Sequence, residues 1–103
     1  MNIGNAIKQV REHFGVSQVE LSKKTGLSQT AISQMEKGPK QPSKSSIEKI
    51  CKAFDIPIAI LYVMGMQESD VSVSKKNDFE KLYPAMKDFA IQMIGKRKSK
   101  ILQ

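Results

Sequence analysis

Apolar residues recur along this chain at helical spacing, and no stretch holds the two-residue alternation of a half-buried strand for long. Ile3, Ile7, Val10 and Phe14 form one stripe, which predicts a first helix from about residue 2 to 14, stopped by Gly15 in the left-handed conformation. A second helix is expected from 17 to about 25. Ser17 can cap it, Glu20 completes a capping box, and Gly26 ends it. A third runs from 28 to 37, capped by Ser28, with Ile32 and Met35 facing inward and Gly38-Pro39 terminating it. The fourth, 43 to 54, carries the stripe Ile47, Ile50, Cys51 and Phe54 behind Pro42. A short fifth, 57 to 64, has Pro57 in its first turn and Gly65 as its stop. The pattern is all-α, with a core domain over residues 1–66.

Residues 67–77 are polar and rich in serine and mixed charge, the composition of a linker. Residues 78–95 are amphipathic again, and 96–103 form a basic tail with Lys96, Arg97, Lys98 and Lys100. Phe79, Leu82, Met86, Phe89 and Met93 are spaced like a short coiled-coil seam, flanked by Tyr83 and Ala90. Pro84 interrupts helical hydrogen bonding, so a turn followed by a helix from about 84 to 94 is expected. Two roles compete for this segment: folding back on the domain, or self-association that would pair two domains. The linker favours self-association, and a partner protein is a third occupant.

The second and third helices meet at Gly26-Leu27-Ser28, a turn tight enough for a steep crossing, as in a helix-turn-helix. Val19, Leu21 and Ser22 would face inward, and small Ser22 and Ala31 would permit close approach. The outer side of the third helix then offers Gln29, Thr30, Ser33 and Gln34, with Lys37 at its end. Gln can bond the N6/N7 edge of adenine, and Thr can bond an edge or touch a thymine methyl. The helix N-terminus, with Gln18 nearby, suits phosphate. Charge points the same way: 17 Lys and Arg against 10 acids give +7, a surface that gathers polyanions.

The run S-Q-x-E-L-S-x-K-T-G-L-S-Q-x-x-I-S-Q-M-E-K-G from Ser17, with Pro42-Ser43 after it, resembles the lambda-repressor and Cro (Xre-type) helix-turn-helix family over about residues 3–65. That resemblance implies a five-helix domain that binds pseudo-palindromic double-stranded DNA as a homodimer. It implies base reading by Gln29, Thr30 and Gln34. It implies backbone contacts by Gln18, Ser28, Ser33, Lys37 and Lys40, with Gln18 also bracing Gln29. It further implies a structural ion pair between Arg11 and Glu36, holding the third helix against the first.

Other chemistry finds little support. His13 is the only histidine and Cys51 the only cysteine, so no zinc site of the usual kind assembles within the chain. Cys51 sits among apolar neighbours and reads as core, and no internal disulfide can form, which fits a cytoplasmic setting. There is no glycine-rich phosphate loop, no catalytic set, no signal-like apolar stretch and no run of ~20 apolar residues. The expectation is a regulator without enzymatic activity, cofactor, metal or membrane, most simply a repressor. An antitoxin that also regulates its own operon, with a toxin as partner, is an alternative. A protein-interaction adaptor that no longer reads DNA is another.

Overall fold

The first four helices of the computed structural model, which describes residues 1–38 and 41–95, each begin at a side-chain cap. Asn2 precedes α1 (Ile3–His13), Ser17 precedes α2 (Gln18–Thr25), Ser28 precedes α3 (Gln29–Lys37) and Ser43 precedes α4 (Lys44–Phe54). In each case the side-chain oxygen accepts the backbone N–H three residues on, one of the donors a helix start leaves unpaired. Ser17 and Glu20 make both halves of a capping box. Two further helices, α5 (Ile58–Gly65) and α6 (Lys76–Ile94), follow, separated by 3-10 turns at Glu68–Asp70 and Val73–Lys75. No strand occurs among the described residues.

One core joins these elements. Ile3, Ile7 and Val10 of α1 meet Leu21, Ile32, Ile50 and Leu61, and each is excluded from water. Burying a side chain of this size contributes about 2 kcal/mol. Phe14 and Phe54 stack at the edge, with ring centroids 5.4 Å apart. The elements are layered: α3 lies on α1, α1 on α5, and α5 on α6.

Two glycines serve close approach. Gly65, expected as a helix stop, is the buried last residue of α5. Its carbonyl accepts the Asn2 N–H at 2.8 Å, and a Cβ there would lie 2.9 Å from the Asn2 carbonyl oxygen. Gly4 is more stringent: an added Cβ would stand 1.9 Å from the carbonyl oxygen of Met35, so α1 and α3 touch backbone to backbone. α4 ends without a glycine, at Asp55, whose φ of 55° is left-handed. Val19, expected to face inward, is exposed, because the core takes Leu21 from the opposite side of α2.

The C-terminal segment departs most from expectation. α6 starts at Lys76 and runs through Pro84 without a break, although Pro84 cannot donate to the Glu80 carbonyl. Packing carries the helix past that lost bond. Ala90 and Ile94 enter the core, and the Tyr83 hydroxyl donates to the Val63 carbonyl at 2.7 Å. Burial raises the Tyr83 pKa above the usual phenol value. The segment therefore folds back through Tyr83 and Ala90, expected only to flank the seam, and through Ile94; of the seam itself, Phe79 is half-buried against Tyr83, while Leu82, Met86, Phe89 and Met93 remain exposed.

Candidate nucleic-acid interface

The chemistry of α3 depends on how firmly its inner side is held. Ile32 is buried, Met35 packs on the core, and the Glu36 side chain is 2% exposed. A carboxylate that deep needs partners. Arg11 supplies a fork: Nε donates to Glu36 Oε2 at 2.8 Å and Nη2 to Oε1 at 2.9 Å. Its Nη1 donates to the Val16 carbonyl at 2.9 Å, tying the α1–α2 connection into the same cluster. The hydrogen bonds to Glu36 raise the Arg11 pKa further above its already high value, against the desolvation that lowers it. Gln18 Nε2 adds a donor to Glu36 Oε1 at 3.1 Å. Gln18 thus braces Glu36, where a contact to Gln29 had been expected.

The α2–α3 turn is closed by short-range bonds. Gly26 adopts φ 79°, and a Cβ there would meet nothing within 4 Å, so backbone conformation alone calls for glycine. The Ser22 hydroxyl donates to the Leu27 carbonyl. The Thr25 hydroxyl donates to the Leu21 carbonyl at 2.8 Å and accepts the Leu27 N–H at 3.2 Å. Ser22 therefore offers a hydrogen bond as well as small size.

Opposite the anchored side, Gln29, Thr30, Gln34 and Lys37 are exposed and Ser33 is half-buried. At about 100° per residue these five lie within an arc of about 140° on α3. Among the described residues no hydrogen bond engages the side chains of Gln29, Thr30 or Gln34, so their donors and acceptors point to solvent unpaired. Ser28 is exposed at the N-cap, where its hydroxyl oxygen accepts the Ala31 N–H at 3.0 Å, leaving the O–H free to donate. Gln34, Lys37, Gln41, Ser43 and Ser46 line part of an open groove of about 700 Å³ between the end of α3 and the start of α4. Lys40 and the basic tail, both named from sequence, lie outside the described residues.

The remaining candidates sit away from this surface. Cys51 is buried and its thiol pKa is pushed up to about 11 by desolvation, which leaves it a neutral core group. His13 Nε2 lies 2.6 Å from the Gly95 carbonyl oxygen, at the end of α6. No group of three or more His, Cys, Asp or Glu able to hold a metal ion occurs among the described residues. No described helix is long and apolar enough to cross a membrane.

Comparison with known proteins converges on the same element. A helix-turn-helix family model matches residues 7–61, more than half of the chain. The uncharacterized HTH-type transcriptional regulator Rv0474 of Mycobacterium tuberculosis is 36% identical over 60 residues, 58% of this chain and 43% of that protein. The uncharacterized HTH-type transcriptional regulator YgzD of Bacillus subtilis is 38% identical over 52 residues, 50% of this chain and 79% of YgzD. Antitoxin HipB of Escherichia coli is 34% identical over 58 residues, 56% of this chain and 62% of HipB. The match thus spans less than half of the Mycobacterium regulator and most of the Bacillus one. No solved structure matches the chain. With α2 and α3 as its helix-turn-helix, the chain belongs to the lambda-repressor/Cro-like (Xre-type) family of DNA-binding transcriptional regulators.

Proposed function

We propose that this chain is a sequence-specific regulator, a repressor that holds an inverted-repeat operator as a dimer. The observation that carries the reading is the unpaired polar arc of α3, displayed by a helix whose other side is fixed through Glu36. In the major groove, Gln29 and Gln34 would each bond an adenine edge, and Thr30 would contact an edge or a thymine methyl. Gln18, Ser28, Ser33, Lys37 and Lys40 would set register on the phosphates, with affinity falling as salt rises. Rigid support matters here, because a base-reading side chain discriminates only if its backbone is held in place.

Selection of binding sites from random duplexes tests the reading directly. An enriched inverted repeat, with half-sites about one helical turn apart, is expected. Gln29→Ala and Gln34→Ala should each relax the preference at one position of each half-site and cost about 1–3 kcal/mol there. No enrichment at low salt would overturn the reading. Likeness to antitoxin HipB supports a narrower version, in which the chain also neutralises a toxin. A neighbouring gene whose product arrests growth only when this chain is absent would support that version, and a neighbour harmless in its absence would remove it.

A further inference from the structure

α6 carries two apolar faces, and its own domain uses one. At about 100° per residue, Tyr83, Ala90 and Ile94 point to one side, while Leu82, Met86, Phe89 and Met93 form a second stripe centred about a quarter turn away. The first side meets α5 and the core. The second lies in water, with Leu82 62% and Phe89 60% exposed. Apolar side chains spaced four, three and four along nearly three turns are a knob-bearing seam without its opposing helix.

We infer that this stripe is where two copies of the chain pair, α6 against α6 in an antiparallel, two-fold contact. The inference rests on the dimeric reading above and names its interface. Three observations select a second copy. First, charge: residues 76–94 hold Lys76, Lys81 and Lys87 against Asp78, Glu80 and Asp88, so α6 is electrically neutral in a chain of +7. Two copies can meet there without confronting the basic surface that DNA would occupy. Secondly, area: the four side chains leave on the order of 400 Å² of apolar surface in water, a patch size that marks interaction sites. Two such patches with their flanks approach the ~1,200 Å² total at which specific interfaces begin. Thirdly, placement: α1 and α5 separate α6 from α3, so pairing on α6 leaves both reading helices open. A two-fold axis near Met86 would set Leu82 of each copy beside Phe89 of the other, the reciprocal contact an isologous interface requires.

Sedimentation equilibrium of the 103-residue chain without DNA, at tens of micromolar, is the first measurement. A dimer is expected. The double variant Leu82→Glu/Phe89→Glu should be monomeric at the same concentration with the wild-type helical spectrum and melting temperature, because both residues are exposed. On DNA it should keep half-site affinity and lose about a hundredfold or more on the full inverted repeat. A monomeric wild type, or a double variant that stays dimeric, overturns the inference while leaving DNA reading intact. A wild-type dimer abolished by the double variant, with no duplex bound by either form, removes the DNA reading and keeps the interface. If the wild type alone is monomeric, and a toxin added in stoichiometric amount binds it but not the double variant, the stripe belongs to that partner and the inference falls.

Discussion

α3 and α6 are both amphipathic helices with one side on the core and one in water, yet they are held by opposite means. α3 is nine residues long, too short to persist alone, and apart from its Ser28 cap what fixes it is deep. A backbone contact at Gly4, the Arg11–Glu36 fork and Ile32 hold it from beneath. α6 has nineteen residues and a proline in its middle, and it is held at a few points: Ala90, Ile94, the Tyr83 hydroxyl and the His13 contact at its end. The free side of α3 is polar, whereas that of α6 is apolar. A helix that must present hydrogen bonds to bases needs immobility. A helix that offers a greasy stripe to a partner needs only to be nearby. The prediction is that damage to the anchors of α3 unfolds the domain, while damage to those of α6 loosens one helix.

Gly4→Ala is the strongest way to test the first half. The new methyl would fall 1.9 Å from the Met35 carbonyl oxygen, where backbone meets backbone and no side chain can move aside. α1 and α3 must separate, at a cost of about 3 kcal/mol and a Tm lowered by roughly 15 °C. Calorimetry should show one cooperative transition shifted as a whole. A Tm within a few degrees of wild type would mean that α3 rests on α1 far more loosely than the geometry requires.

Glu36→Ala comes next. It leaves the Arg11 guanidinium and the Gln18 amide without their shared acceptor. Removing one member of a fully buried pair costs several kcal/mol. The Arg11 side chain retains 12% exposure and regains some water, so the loss here should be about 2–3 kcal/mol. Denaturant unfolding measures it. Sequence-specific binding should weaken even at temperatures where the variant is folded, because α3 loses its inner fixation. Unchanged discrimination between operator and scrambled duplex would show that the fork matters to stability alone.

Tyr83→Phe probes the other helix. It deletes the bond to the Val63 carbonyl while keeping the ring, which stacks on Phe79 with centroids 4.7 Å apart. The expected loss is about 1 kcal/mol, confined to α6. Amide exchange should quicken along residues 76–94 and stay unchanged in α1 and α3. Faster exchange throughout the chain would mean that α6 is integral to the domain and the contrast with α3 is false.

Legibility from sequence divides along the same line. The starts of α2 and α3 were readable because a cap and the N–H it accepts lie three residues apart, so Ser17 and Ser28 act on their own neighbourhoods. The exposed polar set on α3 was readable because Ile32 and Met35 fix the phase of a short helix. What was hidden depends on which helices meet. Gly4 and Gly65 look like ordinary glycines until another backbone arrives. Gln18 pairs with Glu36, 18 positions away, through the burial of that carboxylate. On α6 the spacing revealed one seam, with Tyr83 and Ala90 only as its flanks, and the domain docked through those smaller flanking positions and Ile94. Ala90 allows close contact that Phe89 would forbid. Pro84 suggested a break because its lost bond is a local fact, and the packing that compensates it is not.

The smallest effect is expected at the far end of α6. The last carbonyls of a helix lack intrahelical donors, and His13 Nε2 lies 2.6 Å from the one on Gly95. The imidazole also meets Phe14 edge-on, at 5.4 Å between centroids, so its orientation is set by the core edge of α1. His13→Ala removes this contact at an exposed site, where water can replace the donor. The loss should be about 0.5 kcal/mol, no more than a few degrees in Tm. Exchange should quicken at amides 91–94 alone, with DNA binding untouched. His13→Gln, which can still donate, should restore part of the protection. If His13→Ala instead releases all of α6, then the helix is hinged at Tyr83 and locked at Gly95, and this exposed contact outweighs the buried ones that Ala90 and Ile94 make.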